Sequence, residues 1–525
     1  MKTVPAFSRF LALALAAGAL SAAPALRAEL KLPAIVGDHM VLQRDLALPI
    51  WGWATPGQTV SVAIAGQKVE GKANDKGRWE VKLAALKVSD KPLEMTITAG
   101  AESRVLKDIL VGEVWVCSGQ SNMQWSVNQS YDADLEKLTA KHPQIRLISV
   151  PQVGTQEIQD DFKGQWDVCT PEVVGDFSAV GFYFGRQLHQ TLGVPIGLID
   201  NAWGGSAAEA WVRRDVLEQD ARFADVMAQW KITEATYNHD AALAAWKTAS
   251  EKAKAEGKPA PRQPTNPLVG QHRPGNLYAG VLHPTIGYGI RGAIWYQGES
   301  NAGRAAQYRD LFPLMIEHWR KEWGQGDFPF YWVQLADFMA ETPKPGDSNW
   351  AELREAQTRT LSLPNSGQAV IYDVGEGRDI HPRDKQTVGR RLARIALARD
   401  YGVAVPYQSP QYDKMEVRGN KVLLTFKEVG GGLYSFDVPE PKGFAIAGAD
   451  KAWHWAQARL VPGTNHQVEV WSDAVAAPAA VRYAWSDNPV ATLRSRENLP
   501  VVPFRTDDWP MITAPKPATP APAAK

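Results

Sequence analysis

The sequence predicts an α/β fold: a core of parallel strands set between two β-rich segments. Three observations predict it. Between residues 108 and 405, short apolar runs alternate with helical stretches, which is the pattern of a parallel sheet. On either side, residues 32–106 and 406–510 carry short β runs broken by turns, the rhythm of small antiparallel sandwiches. Within the core, three apolar runs each end in a polar turn that carries a serine, an asparagine or a histidine.

The first element is a secretory leader. Lys2 and Arg9 precede a Leu/Ala run over residues 10–20, and small residues follow, with cleavage expected after Ala25 or Ala28. The run is too short to span a bilayer, and no other segment is apolar enough to do so. Residues 1–28 therefore read as a signal peptide, and the mature protein as periplasmic or secreted.

Residues 29–107 form the N-terminal sandwich, with turn signals at Gly66-Gln67 and Asp75-Lys76-Gly77. Residues 108–405 form the α/β domain. Its strands are expected at 114–117, 145–150, 194–200, 293–295, 330–335 and from Val370, and its helices at 132–141, 177–188, 308–323, 353–361 and 385–401. Residues 213–262, rich in Ala, Lys and Glu, read as a helical excursion on the surface. Residues 406–510 form a second β-rich domain, and the Pro/Ala tail 511–525 has no means of building a core.

The chain has 525 residues, enough for about two to four domains. Its 57 basic and 57 acidic residues cancel, so no electrostatic hold on nucleic acid or anionic lipid is expected. The 20 tryptophans offer faces for sugars but are equally core residues. Cys117 and Cys169 could pair in an oxidising compartment, although Cys117 lies inside an apolar strand and reads better as a buried thiol. No Cys/His cluster has zinc-site spacing.

The chemistry gathers at the strand ends. Residues 112–125 read G-E-V-W-V-C-S-G-Q-S-N-M-Q-W. Val114-Trp115-Val116-Cys117 has the composition of a buried strand, and the polar turn after it presents Ser121. A serine held there, beside a turn-forming glycine, stands at the carboxyl edge where open α/β sheets bind ligands. Alone, Gly-Gln-Ser-Asn would be only a polar turn. Residues 292–302 repeat the design and end in Glu299-Ser300-Asn301, and residues 370–382 run from a strand into a loop with Asp379 and His381. A serine nucleophile, an amide donor for the oxyanion and a histidine base are the set that ester hydrolysis needs.

Four ordered blocks, G-Q-S-N-M, W-G-G-S (residues 203–206), Q-G-E-S-N and D-I-H-P, resemble those of the sialate O-acetylesterase family, an SGNH-type group of carbohydrate esterases. The resemblance extends from about residue 32 to about residue 509. It implies an SGNH-hydrolase-like parallel sheet core, a catalytic Ser121 and His381, and an oxyanion hole made by the backbone N–H of Ser121, that of Gly205 (Gly204 being the alternative) and the Asn301 amide. Asp379 would orient His381. The broad pattern puts that acid three residues before the histidine, where this chain has Arg378. A Ser–His dyad held by a backbone carbonyl, or a more distant Glu376, thus stays open. Gln120, Asn122, Trp203, Gln297 and Glu299 are expected to line the pocket. No cofactor and no metal are implied.

The implied substrate is an acetylated carbohydrate: O-acetyl sialic acid by the family's name, or a plant hemicellulose such as xylan or xyloglucan. A sialic acid site calls for a cation opposite the carboxylate, with Arg304, Arg378 and Arg383 as candidates. A non-catalytic sugar-binding protein would not need the serine and histidine. A lipase or thioesterase would favour an apolar cleft over turns rich in Gln, Asn and Glu.

Overall fold

The first strand of the core, β1 (Glu102–Gly119), is 18 residues long and serves two parts of the molecule. In the computed structural model, which describes residue 1 and residues 29–515, residues 2–28, where the signal peptide is expected, and residues 516–525 lie outside the described residues. The remaining core strands are β2 (His142–Ser149), β3 (Asp167–Cys169), β4 (Ile196–Asp200), β5 (Gly292–Tyr296), β6 (Phe330–Val333) and β7 (Ser366–Ala369). They lie in the order β7-β6-β5-β1-β4-β2-β3. All neighbours are parallel except β2 and β3, which are antiparallel, so the sheet is mixed rather than purely parallel.

The first half of β1 belongs to the N-terminal segment. It pairs antiparallel with Ser89–Ala99, which pairs in turn with Thr59–Ile64, while Val41–Gln43 lies parallel to β1 around Val111. These strands and the core strands therefore form one continuous sheet across Lys107 and Asp108. The second half of β1, from Ile109 onward, is buried at every position. That is the mark of a central strand covered on both faces. Val114 and Val116 join the cluster that includes Ala305–Trp323 and Asn349–Arg359. Trp115 and Cys117 join the one that includes Ala179–Leu192 and Lys385–Arg399. The alternation follows from the two-residue period of a strand.

Glu113 lies inside this buried run with no exposed surface. A lone carboxylate would be costly there. Arg44 and Arg291 pair with it, Arg291 at 2.8 Å, and Gln43 donates to it at 2.9 Å. The N-terminal segment and the core thus neutralise one charge together.

Two expectations shift. The strand expected from Val370 ends at Ala369, and residues 370–382 lie outside any strand. Asp373 explains the exit: Arg391 binds both its oxygens, at 2.6 and 2.8 Å, and Arg494 adds a contact at 3.2 Å. That buried ion pair turns the chain out of the sheet. At the C-terminus, Ile512 and Thr513, read as tail, donate backbone N–H groups to the Glu352 carboxylate. Residues 213–262 are helical as expected, over Arg214–Glu218, Ala224–Thr236 and His239–Ala255. The C-terminal segment forms two four-stranded sheets and a two-stranded one. Both cysteines are free and buried.

Gly119 closes β1 with φ +140°, and a Cβ there would lie 2.2 Å from the Tyr296 carbonyl oxygen. Gly119→Ala is expected to destabilise the protein by about 2–4 kcal/mol, combining backbone strain with overpacking. Denaturant unfolding of the two proteins measures the difference.

Candidate active site

The turn after Gly119 carries Ser121, the candidate nucleophile. Gln120 is extended, and Ser121 opens a short helical turn, Ser121–Gln124. Two neighbouring strand ends hold this turn. Gln120 N–H donates to the Tyr296 carbonyl at 2.9 Å, and Trp203 N–H donates to the Gly119 carbonyl at 3.1 Å. The W-G-G-S turn therefore lies against Ser121: a Cβ on Gly204 would be 3.4 Å from the Ser121 Cβ.

His381 arrives from the loop after β7. Its Nε2 lies 2.8 Å from Ser121 Oγ, within hydrogen-bond distance. Trp125 stacks on the imidazole, with centroids 4.6 Å apart and planes 13° from parallel. Trp125 sits one helical turn past the nucleophile, and its spacing of four from Ser121 is a signal that composition alone does not single out. Burial pushes the His381 pKa below its ordinary value, and the Lys385 charge pushes it further, against a weaker pull from Asp379.

Asp379 stands beside the ring, but loosely. Its Oδ1 is 3.5 Å from His381 Nδ1 and accepts the His381 backbone N–H at 2.9 Å. Its side chain is 50% exposed. Glu376 is engaged elsewhere, accepting the Arg383 N–H at 3.0 Å.

The oxyanion candidates differ in availability. The N–H groups of Ser121 and Gly205 have no acceptor among the described residues, whereas the Gly204 N–H donates to Gln124 Oε1 at 2.7 Å. That occupation favours Gly205 over Gly204. Asn301 is buried, and its Oδ1 accepts from Gln297 at 2.7 Å and from the Ala208 N–H at 3.0 Å. Its Nδ2 donates to Glu209 at 2.9 Å, which leaves one amide proton.

Most residues expected to line the pocket stand behind it. Gln297 is fully buried and holds Ser206, Asn301 and Tyr308. Asn122 and Glu299 are hydrogen-bonded to each other at 2.7 Å. Gln120 Oε1 faces the N–H groups of Gly298 and Ser300, each at 3.4 Å. Trp203 is half-buried in its turn. The cleft that opens on Ser121 and His381 has a volume of about 480 Å³, and its walls come from Gln124, Trp125, Gln129, Gln152, Asp176 and Asp200 among others. A larger cleft of about 720 Å³, between residues 29–39 and Arg104, contains no serine and so no nucleophile–base pair. Asp200 is half-buried in this wall, and desolvation raises its pKa to about 7.

A mixed α/β sheet that presents a serine bonded to a histidine in an open polar cleft defines a hydrolytic enzyme. The family follows from comparison. Residues 111–247 and 277–398 match the family described as carbohydrate esterase, sialic acid-specific acetylesterase. The sialate O-acetylesterase of Mus musculus is 31% identical over 521 residues, covering 89% of this chain and 93% of that protein. Its Homo sapiens counterpart is 30% identical, covering 86% and 87%. A crystal structure of a carbohydrate acetylesterase from Xanthomonas citri is 37% identical, with a TM-score of 0.77 and coverage of 92% and 100%. The chain belongs to the sialate O-acetylesterase family of carbohydrate esterases.

The lowered His381 pKa gives a direct expectation. The imidazole should titrate below the ordinary histidine value of about 6.5, so it stays neutral at pH 7. Two-dimensional NMR of the imidazole nitrogens against pH measures it.

Proposed function

We propose that this protein is an exported serine esterase that removes O-acetyl groups from carbohydrate, built on an SGNH-type core with flanking β-sandwiches. The observation that carries the reading is the 2.8 Å contact between Ser121 Oγ and His381 Nε2, beside two backbone N–H groups with no acceptor among the described residues. Ser121 attacks the acetyl carbonyl while His381 takes its proton. The tetrahedral oxyanion is received by the N–H groups of Ser121 and Gly205, with the remaining Asn301 amide proton as third donor. His381 returns its proton to the departing sugar hydroxyl, leaving an acetyl-serine. Water, activated by the same histidine, then releases acetate. Export rests on the leader read in residues 1–28.

On the sugar, the cleft favours a neutral O-acetylated glycan of the hemicellulose type. Its lining contains Asp176 and Asp200 and no lysine or arginine. The arginine candidates for a carboxylate clamp are elsewhere: Arg304 is paired with Glu209, Arg383 lies over the Tyr131 ring at 5.0 Å, and Arg378 is exposed outside the lining. A sialoside carboxylate would face acid without a partner. The names of the mammalian relatives support the sialate reading instead. Acetate release from acetylated sialosides and acetylated xylan or xyloglucan oligomers separates the two. The neutral oligomers should give the higher kcat/KM, and a preference for sialosides would reverse the assignment.

Three variants test the mechanism. Ser121→Ala should abolish acetate release while circular dichroism stays native. Asn301→Ala should lower kcat by roughly a hundredfold, as loss of one oxyanion donor does. A change confined to KM would instead give Asn301 a binding role. Asp379→Asn should lower kcat by about tenfold, far short of the ~10⁴ lost when a closely bonded triad acid is replaced. Steady-state kinetics measures all three.

A further inference from the structure

Behind the Ser121–His381 pair lies a buried polar cluster that the mechanism above does not use. Lys385 begins the helix Lys385–Arg399, and its side chain is fully buried. Its Nζ donates to Asn122 Oδ1 at 2.5 Å. The ammonium also lies 5.2 Å from the Tyr296 ring centroid and 5.9 Å from that of Trp125, the ring stacked on His381. The Asn122 Nδ2 spends both its protons, on Glu299 Oε1 at 2.7 Å and on the Ile380 carbonyl at 3.0 Å.

The arrangement admits one orientation of the Asn122 amide. Turned over, it would set NH₂ against the ammonium and oxygen against two oxygens. Lys385 and Glu299 therefore fix the amide between them. Asn122 follows the nucleophile in the chain, and Ile380 precedes the base. The amide thus joins the two catalytic segments, which are 258 positions apart in the chain.

We propose that Asn122, held in one orientation by Lys385 and Glu299, positions His381 against Ser121, and that the buried Lys385 ammonium helps keep the imidazole unprotonated. The cluster takes over from behind the loop the holding task that Asp379, half exposed and 3.5 Å away, performs weakly. The inference rests on the proposed roles of Ser121 and His381.

Its electrostatics support the geometry. Desolvation lowers the Lys385 pKa to about 7, against the pull of Glu299, Asp379, Glu376 and Asp384. Burial raises the Glu299 pKa, and its Oε2 has no partner. The other charged or titratable groups around the pair are Asp176 and Asp200 across the cleft, Arg383 and Tyr131 beside the loop, and the buried Tyr296 phenol. Of the charges acting on His381, Lys385 lowers its pKa and Asp379 raises it.

The signs separate positioning and charge from mere support. A general base acts when neutral, so the acid limb of the kcat/KM profile follows the His381 pKa. Lys385→Met removes the cation and should move that limb to higher pH. Asp379→Asn removes the anion and should move it to lower pH. Asn122→Ala keeps the cation but loses the bond to Ile380. It should lower kcat by roughly two- to tenfold, as loss of one neutral hydrogen bond does, with KM changed less than about twofold.

The experiment measures pH–rate profiles of wild type and these three variants on one acetyl ester, with Ser121→Ala as control and circular dichroism on each. A Lys385→Met limb that does not move, with kcat reduced equally at every pH, would leave Lys385 as support and overturn the charge role. Wild-type kcat in Asn122→Ala would overturn the positioning role, and that variant decides the matter if Lys385→Met does not fold. Activity surviving in Ser121→Ala would sink the esterase mechanism itself, an outcome distinct from either.

Discussion

The site depends on one close approach of backbone to backbone, at Gly119. The strand β1 must end there against the Tyr296 carbonyl, with no room for a Cβ and a φ of +140°. From that point the chain turns at Gln120, and Ser121 rises at the sheet edge. The two adjoining strand ends, after Tyr296 and after Asp200, then carry the turns that close around it. Parallel pairing makes this possible, because neighbouring strands finish at the same edge. A serine, a glycine turn and an amide from remote parts of the chain meet there without long loops.

Burial organises the charges around that edge. Glu113 in mid-strand is held by Arg44 and Arg291, and so ties the N-terminal segment to the core. Asp373 is held by Arg391 and Arg494, and directs the loop that carries His381. Lys385 and Glu299 lie directly behind the nucleophile turn. Each buried charge has a partner, as desolvation requires. Each partnership also joins elements distant in the chain, so the charges specify the arrangement of segments that hydrophobic contact alone leaves adjustable.

Asp379 stands only loosely beside His381. With Arg378 three residues before the histidine, Asp379 reaches the ring only at 3.5 Å and spends its better hydrogen bond on the backbone. Trp125 stacks on one face of the imidazole, and the Asn122 amide grips the residue before it. Orientation is thus spread over several contacts, none of them a close carboxylate.

The α/β core, the helical excursion and the meeting of Ser121 with His381 were legible in the sequence. Apolar runs ending in Gly-Gln-Ser-Asn and Gly-Glu-Ser-Asn state where strands stop and what stands beyond them, whereas the run before Asp-Ile-His-Pro lies past the end of its strand. Local pattern carries that much because strand burial and turn chemistry are local properties. The tertiary structure alone decided the rest. Asn122, Gln297 and Glu299 look like pocket residues in the sequence, yet Asn122 and Glu299 bond to each other and the buried Gln297 bonds to Ser206, Asn301 and Tyr308. Gln124, Gln129, Asp176 and Asp200 line the cleft without any motif to announce them. Whether a polar side chain meets substrate or a buried partner depends on which remote segment packs over it, and a hydrogen bond across 258 positions leaves no trace in the local sequence.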